Sequence, residues 1–300
     1  MSKHIALFAM LLFLGVSLNA NATWLPENMI KADVPNPGPS NMDETEFEAI
    51  IAQLQNIYAP LVSSQGGKLS ISGSWSDEKL NAGARQMFGS WQVVITGGLA
   101  RRSELTPDGF TLILCHEIGH HMGGFAFAAP MPVIGTWAAV EGQSDYFSTQ
   151  VCARKIWGND TDKNAGFRQT VSAAAKQQCD QAWPAEREQN LCYRTLTAVE
   201  SMITTMAVLT KSEMPKFETP DQKAVTKTDE RHPAVQCRMD TALQGALCKS
   251  AFNDSLIPGK KVSGGTESVA AEREAAMQSC TAASGYNSGI RPTCWFKPRM

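Results

Sequence analysis

His116-Glu117-Ile118-Gly119-His120 sets two imidazoles four residues apart, with a carboxylate directly after the first. On a helix this spacing stacks both rings on one face, one turn apart, so a single metal ion can meet both. Glu117 lies one step round. It can reach a water polarised by that ion without itself being a ligand, and can act as a base toward it. Of the four histidines after residue 22, three (His116, His120, His121) lie in this segment, and His232 is the fourth. Phe110, Leu112, Ile113 and Leu114 precede the motif, so the helix is expected to be buried. Buried imidazoles beside a carboxylate need partners, and a cation supplies one.

A catalytic zinc takes a third protein ligand and keeps one position open. One class of such sites uses a third histidine six residues after the second, and Ala126 stands there instead. A glutamate from a following helix is the other solution. Glu141 and Asp145 supply it, four apart and so on one face, in a stretch otherwise free of charge. The expected set is one Zn²⁺ per chain on His116, His120 and Glu141. Asp145 would accept a hydrogen bond from the far nitrogen of His116 and fix its tautomer. An acidic pair stabilising a helix start is the plainer use of the same two residues. For His232, followed by Pro233 and then Arg238, the residues alone allow an exposed loop histidine or a donor toward a developing oxyanion.

These groups need elements to hold them. Phe47, Ile50, Ile51, Leu54, Ile57 and Tyr58 recur at helical spacing from Asp43 until Gly66-Gly67 breaks the pattern. Strands are expected at 68–75, 79–86 and 91–97, the last β-branched and ending at Gly97-Gly98. Thr106-Pro107-Asp108 starts the motif helix with a hydroxyl cap, a proline at the first helical position and an acid in the first turn. It should run to about His121. Residues 122–140 carry no charge, but Pro130, Pro132 and three glycines rule out a long helix and point to a buried or groove-lining loop. A second helix is expected from near Thr136 past Cys152, and further helices at 166–180, 186–210, 239–251 and 267–283. Residues 211–233 read as a polar surface loop, and 23–41 as an extended arm. The organisation predicted is a signal (1–22), the arm, and one domain over 42–300, its core at about 58–240 and a helical part at 241–300.

Lys3, the apolar run Ile5 to Leu18 and Ala20-Asn21-Ala22 match an export signal cut near Ala22. The run is short for a bilayer span. The exported chain is therefore expected in the periplasm or outside the cell, with no span of its own. All eight cysteines fall in that part (Cys115, Cys152, Cys179, Cys192, Cys237, Cys248, Cys280, Cys294), which favours disulfides. One pairing joins sequence neighbours: Cys179–Cys192, Cys237–Cys248 and Cys280–Cys294, leaving Cys115–Cys152 to clamp the two ligand-bearing helices. The formal net charge of −2 gives no basic surplus for a nucleic-acid partner.

Together these residues resemble gluzincin peptidases of the CAAX prenyl protease and HtpX type. The resemblance runs from about Tyr58 to Arg238 and includes Asn81-Ala82, the strand Val93–Thr96 leading into Gly97-Gly98-Leu99, the His-Glu-x-x-His helix, Glu141-x-x-x-Asp145 and His232-Pro233…Arg238. It implies an α+β, zincin-like fold, mainly helical with a small twisted sheet on the motif helix. It also implies metal-activated hydrolysis of peptide bonds, Ile95, Thr96 and Gly97 pairing with extended peptide or protein substrate, and His232 with Arg238 beside the reaction centre. Two features depart from the family: the lack of membrane spans, and the short interval of 20 residues between His120 and Glu141. Envelope protein quality control is the role suggested by analogy. The alternative is an envelope binding or assembly protein stabilised by zinc but without turnover.

Overall fold

A computed structural model of the chain describes residues 21–26, 30, 38–129 and 135–299. The fold is α+β with one small mixed sheet, and no helix among the described residues is long and apolar enough to cross a membrane. The signal expected at 1–22 lies outside the described residues, apart from Asn21 and Ala22, which are in a strand.

The chain runs β1 (Asn21–Thr23), α1 (Glu44–Ser64), β2 (Lys68–Ser74), β3 (Ala82–Met87), β4 (Ser90–Thr96), α2 (Gly97–Ala100) and α3 (Pro107–Met122). Then come α4 (Glu141–Phe147), a π-helical turn over Ser148–Cys152, α5 (Ala153–Trp157), α6 (Thr161–Gly166), α7 (Ala173–Ala182), α8 (Glu186–Thr210), α9 (Val235–Leu247) and α10 (Val269–Ala276). The sheet order is β1-β3-β4-β2. β1 and β4 flank β3 antiparallel, and β2 joins β4 in parallel. In β4, Trp91, Val93 and Ile95 are buried while Val94 points outward, the period-two pattern of a strand packed on one face.

The motif helix forms as its sequence dictates. Thr106 caps it, its side chain accepting from the Gly109 N–H at 3.1 Å, and Pro107 opens it. From Gly109 to Met122 every residue is buried, because the sheet, α1, α4 and α8 all pack around it. Arg194 of α8 locks its first turn, donating to Asp108 at 2.7 and 2.9 Å. The hydrophobic core is continuous from Trp24 to Phe296.

Three expectations need correction. The second helix starts at Glu141 instead of near Thr136. Before it, Val140 N–H donates to Ala126 O and Ala128 N–H to Ala138 O, and this pairing holds 138–140 extended. In the carboxy-terminal part, helices form over 173–182, 235–247 and 269–276, displaced from the expected bounds. Four disulfides form. Cys115–Cys152 and Cys179–Cys192 match the expectation, but the other two are Cys237–Cys294 and Cys248–Cys280. The last segment folds back onto α9, bringing distant cysteines together. Such bonds form in an oxidising compartment.

Candidate metal centre

Two helices build the centre. α3 presents His116 and His120 from successive turns, and α4 faces them with Glu141 at its first position. The helices approach closely at Gly119, where a Cβ would sit 2.9 Å from the Ser144 Cα. Cys115–Cys152 ties α3 to the end of the π-helical turn that follows α4. His116 Nε2 lies 3.1 Å from His120 Nε2 and 3.3 Å from Glu141 Oε2, and His120 Nε2 lies 3.6 Å from Glu141 Oε1. A tetrahedral centre with bonds of ~2.0–2.1 Å separates its donor atoms by roughly 3.3 Å. The two imidazole nitrogens stand near that spacing, and each faces a different oxygen of the Glu141 carboxylate at a similar distance.

The rear contacts of the imidazoles settle which atoms face inward. His120 Nδ1 lies 2.8 Å from the Ala139 carbonyl, with Ser144 Oγ at 3.1 Å, and His116 Nδ1 lies 2.8 Å from Asp145 Oδ1. Each Nδ1 thus donates rearward, and each Nε2 faces inward as the atom a metal would take. Two Nε2 atoms and a carboxylate converge in a buried space, an arrangement that favours positive charge, whether a proton on His116, the nearby Arg238 guanidinium or a metal ion. His116, Glu117 and His120 together form a group that could hold a metal ion. The other such group among the described residues, Asp221 with Cys237 and Cys294, contains a disulfide and so offers no thiolate.

Between the protein groups alone, the electrostatics carry the same demand. Burial works against a charged His116, yet the negative Asp145 and hydrogen bonds to Asp145 and Glu141 raise its pKa to about 9. His120 is lowered to about 4 by burial. Burial pushes Asp145 and Glu141 up, but their cationic neighbours hold both below the usual carboxylate range: for Asp145 chiefly Arg238, for Glu141 chiefly His120. Glu117 rises to about 8, mainly through burial. Neither of its oxygens has a hydrogen-bond partner. The Trp24 amide is near enough to favour the ionised form, although its hydrogen bond goes to Ala82 O at 3.1 Å.

His232 does reach the centre. Its Nε2 lies 3.3 Å from Glu141 Oε1 and donates to the Thr23 carbonyl at 2.7 Å. Arg238 lies behind His116. Its Nε and Nη2 bond both oxygens of Asp145 at 2.7 and 2.8 Å, and Nη1 donates to the Trp24 carbonyl at 2.6 Å. Its guanidinium thus holds Asp145 and the chain at Trp24, and Nη2 also lies 3.6 Å from Glu141 Oε2.

Ile95, Thr96 and Gly97 depart from expectation. Ile95 pairs with Ala82 on one side and Gly73 on the other, and Thr96 pairs with Ser74 while its N–H goes to Asn81 O. At Gly97 a Cβ would meet the Trp75 carbonyl at 1.8 Å. This stretch is interior to the sheet and has no free edge for a peptide. The strand beside the centre is β1, carried on β3. His121, left without a role by its sequence, stacks on Trp91 with ring centroids 5.3 Å apart and donates to Gln92 O.

Sequence reasoning missed Ala139, Ser144, Thr23 and Trp24. Three of these act through backbone groups, which carry no residue signature. A cavity of about 200 Å³ opens on the centre, lined by Ala22, Thr23, His120, Glu141, Glu230 and His232 among others. No known protein family, curated protein or solved structure matches this chain.

Proposed function

We propose that this chain is a single-zinc metallopeptidase of the gluzincin kind, exported and oxidised, with zinc on His116, His120 and Glu141. The observation that carries this reading is the meeting of two imidazole Nε2 atoms and the Glu141 carboxylate at 3.1–3.6 Å, beside a buried Glu117 whose oxygens have no hydrogen-bond partner. A purely structural site closes all four positions with protein ligands and needs no base. Three protein ligands would leave one position for water, and a cavity lined by His120, Glu141 and His232 gives access to the group.

Zinc, when bound, acidifies a water and polarises the scissile carbonyl. The chain's own residues do the rest. Glu117 takes the proton from the attacking water and passes it to the departing amine. His232 donates to the carbonyl oxygen as negative charge develops on it. Asp145 keeps His116 in the tautomer that offers Nε2, with Arg238 holding Asp145. Ala139 does the same for His120.

The test is zinc content together with hydrolysis of a peptide pool, for the wild type and Glu117→Ala purified from an oxidising compartment. One zinc in both and cleavage by the wild type alone is the expected result. One zinc in both with cleavage in neither would favour the binding or assembly protein. Absence of zinc from both would overturn the reading.

A further inference from the structure

We propose that the centre takes an extended polypeptide strand laid antiparallel on β3, and that the chain's own Thr23–Trp24 segment occupies that place as a displaceable substrate mimic. The proposal rests on the peptidase reading for the identity of the site, but its geometry is independent of turnover.

In an antiparallel pair, residues alternate between directing both N–H and C=O at the partner strand and directing both away. Asn21, Ala22 and Thr23 pair with Arg85, Ala84 and Gly83, and Trp24 continues the ladder through its N–H to Ala82 O at 3.1 Å. Thr23 is out of phase with that bond, so its carbonyl turns off the sheet into the centre. There it accepts from His232 Nε2 at 2.7 Å, the nitrogen that also lies 3.3 Å from Glu141 Oε1. The next carbonyl, Trp24 O, accepts from Arg238 Nη1 at 2.6 Å. The last carbonyl of β1 and the first beyond it, where the chain bends, are thus held by two side chains that reach the ligand set from α9 and the loop before it. That is how a peptide backbone, blind to side-chain identity, is gripped.

The surrounding space fits this reading. Ala22 and Thr23 line both the 200 Å³ cavity over His120 and Glu141 and a second cavity of about 270 Å³, bordered by Asn81, Gly83, Ala84, Arg85, Val94 and Thr96. β1 is the wall between them, and its departure would leave one continuous groove along the β3 edge. The wall is short. It has three residues at the edge of the sheet, and the chain just beyond them is anchored by two buried side chains, Trp24 (1% exposed), whose Nε1 has no hydrogen-bond partner, and Leu25 (2% exposed). Cleavage at the expected position near Ala22 would remove Asn21 and Ala22 from β1 and leave Thr23 and Trp24, with both held carbonyls, at the start of the exported chain.

The experiment uses full-length, zinc-loaded Glu117→Ala protein, which binds without cleaving. The probe is a fluorescein-labelled hexapeptide of residues 21–26 with phenylalanine in place of the tryptophan. We expect the probe to bind Glu117→Ala/Trp24→Ala at least tenfold tighter than Glu117→Ala, because the tethered competitor has lost one of its anchors. Saturating Glu117→Ala with the unlabelled probe should also shift tryptophan emission to the red, and that shift should vanish in Glu117→Ala/Trp24→Phe. Equal affinities, no binding to either variant, or binding without an emission shift would each overturn the proposal. Should Trp24→Ala fail to fold, the emission arm decides alone. Wild-type hydrolysis is read separately, so failure of the peptidase reading and failure of the strand-mimic reading give different results.

Discussion

Arg238 grips Asp145 through two hydrogen bonds, Nε to Oδ2 at 2.7 Å and Nη2 to Oδ1 at 2.8 Å, with both side chains buried. A buried carboxylate paired this way stays ionised, and its Oδ1 is the atom that fixes His116. Arg238→Lys keeps a charge but loses the planar fork. Asp145→Asn keeps the shape but lets the amide turn either a donor or an acceptor toward His116. Each is expected to weaken zinc binding by about 10–100-fold, the usual cost of losing a partner behind a ligating histidine. Competition against a fluorescent chelator measures this. Unchanged affinity in both variants would show that His116 needs no support from behind.

The Cys115–Cys152 bond should act on both stability and metal. It closes a separation of 37 residues, for which the chain-entropy relation gives about 4 kcal/mol. Cys115 immediately precedes His116, so the bond also restrains the ligand-bearing turn against the segment that follows α4. Cys115→Ala/Cys152→Ala is expected to lower the thermal midpoint and reduce bound zinc per chain. Full metal content with wild-type stability would remove the clamp from the account.

How much of this could be read in advance follows from how local each signal is. The motif helix was legible because its cap, its opening proline and its metal spacing all lie within sixteen residues. Glu141 was legible as a carboxylate one helix later, but the start of that helix was not. Its position depends on pairing between 126–128 and 138–140, a contact with no local sequence mark. Half of the disulfides joined the expected partners. Cys237 and Cys280 instead bond to Cys294 and Cys248, because the carboxy-terminal segment packs back across α9. Likeness to a family pointed to Ile95–Gly97 as a substrate strand, whereas the sheet order places that stretch inside. β1, within the expected signal and arm, became the outer strand.

Gly119 sets the distance between α3, which carries His116 and His120, and α4, which carries Glu141. Replacing it with alanine removes the propensity penalty of a mid-helix glycine, worth about 1 kcal/mol. The added Cβ, however, would meet Ser144 Cα at 2.9 Å and Ser144 O at 3.0 Å, backbone atoms of α4 that cannot rotate aside. Overpacking of this kind costs about 1–3 kcal/mol, so the clash should outweigh the gain. The strain falls on the helix carrying Glu141 and Asp145. Gly119→Ala is therefore expected to lose zinc affinity more clearly than stability, read by chelator competition alongside calorimetry. A variant that gains stability and keeps its affinity would mean the helices can part without cost.

Arg194 tests whether the start of the motif helix is held from outside. Its guanidinium bonds both oxygens of Asp108, reaches Asp160 at 3.1 Å and Asn164 at 3.2 Å, and stacks over Trp157 at 4.4 Å. Only 2% of the residue is exposed. Removing one member of a buried pair costs about 3–5 kcal/mol, because the partner is left buried with its charge. Asp108 retains some contact with water, so the lower end applies to Arg194→Met, a fall of roughly 5–15 °C in thermal midpoint. Asp108→Asn should cost less on its own, since Arg194 keeps Asp160, Asn164 and the face of Trp157. In the Asp108→Asn/Arg194→Met double mutant, the loss should be smaller than the two single losses added, because the pair is broken only once. Additive losses would mean that Arg194 acts mainly through Trp157 and Asn164, and that Asp108 serves α3 only as an acid in its first turn.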